Sequence, residues 1–176
     1  MKNILTFGGS NSKNSISRSL AIHLGKMMKG YHLENIDLND YELPLFSVDR
    51  EKEFGFPDNA LKLNDKLTQT DGLIIVLAEH NGAYSAVFKN MFDWLSRMDN
   101  EVWRQKPMLL LSTSTGVRGG QSVLEIARSR FPRNGGNIVG SMPFPSYNEN
   151  FRNGEIVNTE LKSEVIALLN NFNSKF

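Results

Sequence analysis

Apolar positions along the chain fall into five short runs, separated by segments in which they recur every three or four residues. The runs are Asn3–Phe7, Leu33–Leu38, Leu73–Ala78, Met108–Ser112 and Asn137–Gly140. They are too short for independent helices and fit strands buried on both faces. The intervening segments predict helices. Ser15–Lys29 carries Ile16, Leu20, Leu24 and Met27 at helical spacing. Asp58–Thr70 carries Leu61 and Leu67, with Asp58 after Pro57 as the expected N-cap. Ser85–Arg97 is apolar on more than one face, through Val87, Phe88, Met91, Phe92, Trp94 and Leu95. Gln121–Arg130 is a fourth helix, and Thr159–Phe172 a fifth with a clean apolar stripe. Gly55–Pro57 and Pro143–Gly154 read as loops. Strands alternating with helices mean βαβ units, hence an α/β fold with a parallel sheet covered on both faces. In such sheets ligands bind beyond the carboxyl ends of the strands, where the strand order switches.

Composition narrows this picture without changing it. The 176 residues are 40% hydrophobic and 22% charged, as in an ordinary globular domain, and the length suits one domain over 1–176. No run approaches the ~18 apolar residues of a membrane span. The opening MKNILTFGGS is too short for a signal-peptide core and reads as a buried strand. There is no cysteine, which removes disulfides, thiolate metal sites and a cysteine nucleophile, and is compatible with a cytoplasmic location. His23, His32 and His80 lack metal-ligand spacing, so no metal is expected. Net charge is +1 with acids and bases interspersed, and nothing argues for nucleic acid or a membrane as partner.

Three polar loops follow the first, third and fourth runs. Gly8 to Ser17, GGSNSKNSIS, joins glycines, serines and a helix start, the ingredients of a phosphate site, although the same residues also make a capped turn. It lacks the Lys-Ser/Thr ending of a P-loop and the G-x-G-x-x-G dinucleotide pattern. Ala78 to Asn90 places Glu79, His80, Asn81 and Gly82 ahead of an apolar helix. Ser112 to Gly120, STSTGVRGG, is rich in hydroxyls and glycine and carries Arg118. Each alone is a turn; three at one sheet edge suggest a ligand.

Together these loops resemble the NADPH-dependent FMN reductase family, which includes quinone, azo-dye and chromate reductases. The family's G-S-x-R-x-x-S-x-N loop is similar to the stretch from Gly9 to Ser17. Its P-E-Y-N, then L-K-N, then D-W pattern resembles Glu79, His80, Asn81, then Phe88, Lys89, Asn90, then Asp93, Trp94. Its third loop ends as Gly116, Gly119 and Gly120 do, and Asp37 to Phe46 resembles the segment after its second strand.

The resemblance implies a flavodoxin-like three-layer sandwich with a five-stranded parallel sheet in the order 2-1-3-4-5. It implies FMN as cofactor and NADPH or NADH as co-substrate. Ser10, Ser12, Ser15, Ile16 and Ser17 would hold the FMN phosphate. Glu79, His80, Asn81 and Gly82 would border the isoalloxazine, and Ser114, Gly116 and Gly119 would close the other side. Three departures stand out: Ser12 replaces an Arg, Ala78 a Pro and His80 a Tyr. The first removes a guanidinium from the phosphate, and the others bear on substrate preference.

The implied activity is a ping-pong transfer of hydride from NAD(P)H to a small acceptor such as a quinone, with no conventional catalytic side chain. A homodimer or homotetramer is implied too. The helix Ser85–Arg97 is then either buried in its own domain or a dimer seam, with Trp103 reaching the neighbouring flavin. Three rivals remain. A non-enzymatic flavodoxin-like carrier is disfavoured by the balanced charge. An esterase built on GGSN would need a histidine late in the chain, and the last is His80. A regulatory protein that lost its flavin is the third.

Overall fold

The computed structural model describes residues 1–176. The elements, in chain order, are β1 (Asn3–Gly8), α1 (Ile16–Met27), β2 (His32–Ile36), α2 (Val48–Phe54), α3 (Asp58–Gln69), β3 (Gly72–His80), β4 (Ala83–Tyr84), α4 (Ala86–Met98), β5 (Pro107–Thr113), α5 (Gln121–Arg130), β6 (Asn137–Phe144), α6 (Tyr147–Asn150), β7 (Phe151–Arg152), β8 (Glu155–Ile156) and α7 (Thr159–Asn173). Single 3-10 turns at Leu38–Tyr41 and Phe131–Asn134 complete them.

The main sheet runs β2-β1-β3-β5-β6, all parallel. This is the expected 2-1-3-4-5 order, because the two-residue arm β4 takes the fourth number. That arm folds back antiparallel on the end of β3. The order reverses between β1 and β3, so a crevice opens beyond their carboxyl ends.

Side chains alternate between faces along each strand. Leu5, Phe7, Leu73, Ile75, Leu77, Met108 and Leu110 meet α3, α4 and α5. Ile4, Ile74, Val76, Leu109 and Leu111 meet α1 and α7. Each such buried aliphatic side chain contributes about 1.5–3 kcal/mol. Burial on both faces holds for β1, β3 and β5; β2 and β6 are edge strands and only partly covered.

Several expectations are corrected. Asp58 is the first residue of α3, not its cap; Pro57 holds the cap position without a side-chain bond. Pro143 and Phe144 belong to β6, and within the rest of the expected loop Tyr147–Asn150 forms α6 and Phe151–Arg152 forms β7, which pairs with β8 just beyond it. α2 was unmarked by periodicity because it buries no residue; Ser47 caps it, and Arg97 holds Glu51 at 2.8 Å. The chain buries α4 itself: Phe88, Met91, Phe92, Trp94 and Leu95 are covered. Trp103 does not reach outward. It is fully buried, with its ring 4.5 Å from Phe131 and 5.5 Å from Phe92, at the amino-terminal end of the sheet.

Candidate functional site

The first loop leaves β1 through Gly8, where a side chain would collide with the backbone: a Cβ would lie 2.3 Å from Arg18 N and 2.7 Å from Ser17 C. The missing Cβ lets the start of α1 sit directly over the strand end. Ser15 caps α1, its Oγ accepting from Arg18 N at 3.1 Å and lying 3.0 Å from Ser17 Oγ. Both hydroxyls are buried. Ser10 Oγ accepts from Ser12 N at 3.1 Å, which curls the loop. The amides of Ser10, Asn11, Lys13, Asn14, Ile16 and Ser17 donate to nothing in the chain. Backbone donors are seldom left unpaired without water or ligand to take them, so this loop is a concentration of free N–H groups. The positive end of α1 adds about half a unit charge. Ser12 is exposed, and the nearby Arg18 guanidinium is committed to the Asp37 carboxylate.

The second loop is a tight hairpin. Glu79 pairs Tyr84 and His80 pairs Ala83, leaving Asn81 and Gly82 as the two turn residues, both with positive φ (51° and 75°). Positive φ at both centres is the type I′ geometry that Asn-Gly favours. The Asn81 and Gly82 amides have no partner in the chain. His80 is exposed at the start of the turn. Glu79 turns its carboxylate inward, accepting from Val123 N at 3.0 Å in the first turn of α5.

In the third loop Ser114 Oγ takes the Gly116 amide at 3.3 Å, and a Cβ on Gly116 would meet only Ser114 Oγ, at 3.7 Å. Thr115, Val117 and Arg118 keep free amides. Gly119 lies on the other side of the loop: it is buried with φ 57°, and its Cβ would lie 2.6 Å from Phe144 C. Its need for glycine is therefore a close approach to β6.

All three loops stand at the carboxyl ends of β1, β3 and β5, and hydrogen bonds tie them together. Ser85 Oγ donates to Gly9 O at 2.6 Å, joining the first loop to the start of α4. Glu79 joins the second to the third. Tyr147 N donates to Ser114 O at 3.0 Å, joining the third to the segment after β6. Sequence reasoning missed Ser85, whose partner lies 76 residues away; its N-cap position was the one available signal. It also left Asn90 and Trp94 without a role. Asn90 accepts from Phe46 N at 2.8 Å and donates to Leu43 O and Pro44 O, while Trp94 Nε1 donates to Pro44 O at 2.8 Å. They clamp the Leu43–Phe46 strap beside a cavity of about 460 Å³ whose walls include Asn11, Tyr41, Leu43, Val87 and Met91.

A sequence model of NADPH-dependent FMN reductases matches residues 2–149. The chain belongs to that family. Among its relatives, an Escherichia coli quinone reductase is 33% identical over 66% of this chain and 62% of its own length. An Arabidopsis thaliana NADPH:quinone oxidoreductase is 34% identical over 68% of this chain and 61% of its own. The chain thus spans a little over three-fifths of these relatives. The fold is shared with a flavoenzyme NAD(P)H:(acceptor) oxidoreductase from Paracoccus denitrificans (TM-score 0.76, 24% identity, 99% of this chain and 98% of that one). It is also shared with a Bacillus anthracis FMN-dependent NADH-azoreductase solved with FMN (TM-score 0.65, 14% identity, 99% of both chains).

The donor set of this FMN reductase family member suits a flavin mononucleotide. Free amides and hydroxyls at the start of α1 match a dianionic ester. The unpaired amides of the Asn81–Gly82 turn and of the third loop match the polar rim of a flat heterocycle. The open space at Gly116 leaves room for close approach.

Proposed function

We propose that this chain is a single FMN-binding domain over 1–176 that acts as an NAD(P)H-dependent reductase, passing electrons in a ping-pong cycle to a small acceptor such as a quinone or free flavin. The observation that carries this reading is the group of unpaired amides between Ser10 and Ser17, in a loop that Ser85 ties to the start of α4 just after the Asn81–Gly82 turn. The names of the Escherichia coli and Arabidopsis relatives favour a quinone as acceptor.

In this reading the amides of Ser10, Ile16 and Ser17 and the hydroxyls of Ser10, Ser12 and Ser15 take the phosphate. The buried Ser17 hydroxyl orients that of Ser15. Asn81 and Gly82 offer amides to one edge of the isoalloxazine, with the Glu79 and His80 backbone beside them. Ser114 and Gly116 close the other edge, and Gly119 sets the loop's distance from β6. The bound flavin would supply the hydride chemistry, accepting from nicotinamide and giving to the acceptor. The protein's part is to bind, orient and exclude water, with no side-chain acid or base. The apolar wall of Leu43, Val87 and Met91 suits a quinone ring. No helix is long and apolar enough to cross a membrane. We place the protein in the cytoplasm as a homodimer or homotetramer, in which the exposed Leu45, Val48 and Phe54 would find cover.

Calorimetric titration of the purified protein with FMN tests the binding. NADPH or NADH oxidation with FMN and a benzoquinone tests the turnover. Steady oxidation supports the reductase; flavin binding without it reduces the protein to a carrier. No heat at millimolar FMN ends the reading.

A further inference from the structure

We propose that Ser85 is a positioning residue that aims the Ser10 amide at the cofactor's phosphate, an inference that rests on the first loop receiving that phosphate. Ser85 is only 1% exposed. Its hydroxyl does two things at once: Oγ donates to Gly9 O at 2.6 Å and accepts from Phe88 N at 3.2 Å. The second bond caps α4. The first has no part in helix capping, since Gly9 lies in another loop 76 residues away.

Gly9 is pinned on both sides, because its own amide donates to Val76 O in β3 at 2.8 Å. The Gly9–Ser10 peptide is planar and trans, so its carbonyl and its N–H point in opposite directions. A carbonyl drawn toward Ser85 therefore turns the Ser10 N–H away from α4. That N–H finds no acceptor anywhere in the chain. Removing the Ser85 hydroxyl would leave a buried carbonyl unpaired and free the peptide plane to rotate. An anion at this loop would lose a donor that is oriented in advance.

The test compares FMN with riboflavin, which lacks the phosphate, by calorimetry on the wild type, Ser85→Ala, Ser85→Thr and Asn158→Ala. Asn158 caps α7 by the same kind of bond, to Leu161 N at 3.0 Å, and is a control for losing a cap as such. Ser85→Ala is expected to weaken FMN about tenfold while riboflavin stays within about twofold. Ser85→Thr restores FMN, and Asn158→Ala changes neither ligand. Ser85→Gly, which an N-cap position tolerates, replaces Ser85→Ala if that variant does not fold. An equal change for both flavins, or none, overturns the positioning role while leaving the flavin site standing. A wild type that binds neither flavin retires the site and this inference together.

Discussion

The two ends of the sheet are built from similar residues and do opposite things with them. At the amino-terminal end, Asp99–Lys106 and Phe131–Gly136 form polar turns around Trp103. There Trp103, Arg104, Gln105, Lys106 and Gly136 all donate their amides to carbonyls of the same region. Arg104 is held by Asp99 at 2.6 Å and by Asn64. At the carboxyl end, Gly8 to Ser17, the Asn81–Gly82 turn and the third loop leave most of their amides unused. Polarity, glycine and turn propensity do not separate these regions. Backbone hydrogen bonds do: one end pairs most of its amides with its own carbonyls, and the other leaves most of its amides without a partner in the chain.

Four measurements break or sharpen that contrast. Trp103→Ala attacks the closed end, where the ring is fully buried. It is expected to cost about 4 kcal/mol in chemical denaturation. FMN affinity of the folded fraction should be unchanged; a large loss of affinity would mean that the two ends are not independent. Gly8→Ala attacks the open end through the backbone, because the new Cβ would meet Arg18 N at 2.3 Å. About 3 kcal/mol of stability should go, and here FMN binding should go with it as α1 is displaced.

Ser12→Arg should separate affinity from stability altogether. The position is exposed, and the substitution supplies a guanidinium to the first loop. FMN should bind about tenfold more tightly and with a steeper salt dependence, with an unfolding free energy within about 0.5 kcal/mol of wild type. Unchanged affinity would place the phosphate elsewhere.

The smallest effect concerns acid. His23 on α1 packs against Phe151 of the β7–β8 arm, and burial lowers its pKa below 6.5. The unfolded chain then takes up this proton before the folded one does, so stability falls as pH drops from about 6.5 toward the lower native value. Urea titrations at pH 7.5 and 5.5 should show a smaller drop for His23→Gln than for wild type. An identical drop would assign acid sensitivity to other groups.

Much of this arrangement was legible in the chain. Five apolar runs became the five parallel strands, and the loops after the first, third and fourth became the open end. Loops two and three lie where the pattern puts them, at the carboxyl ends of β3 and β5, while the partners of their residues come from distant parts of the chain. The Glu79 carboxylate accepts from Val123 N, 44 residues on, a partner that nothing near Glu79 in the chain announces. Gly119 belongs to a glycine-rich motif, yet its contact is Phe144 in the next strand. α2 has no buried stripe, so periodicity had nothing to detect.

The order of apolar and polar residues was enough to determine the alternation of the main strands and helices, the burial of the three central strands and which polar loops gather at the carboxyl edge of the sheet. These follow from local repeat lengths that the windows over those elements display. Tertiary structure alone decided which donors are spent and which are free, that Trp103 faces inward, and that Ser85 holds Gly9. Such outcomes depend on hydrogen-bond partners and close contacts brought together from distant parts of the chain, and no local pattern encodes who those partners are.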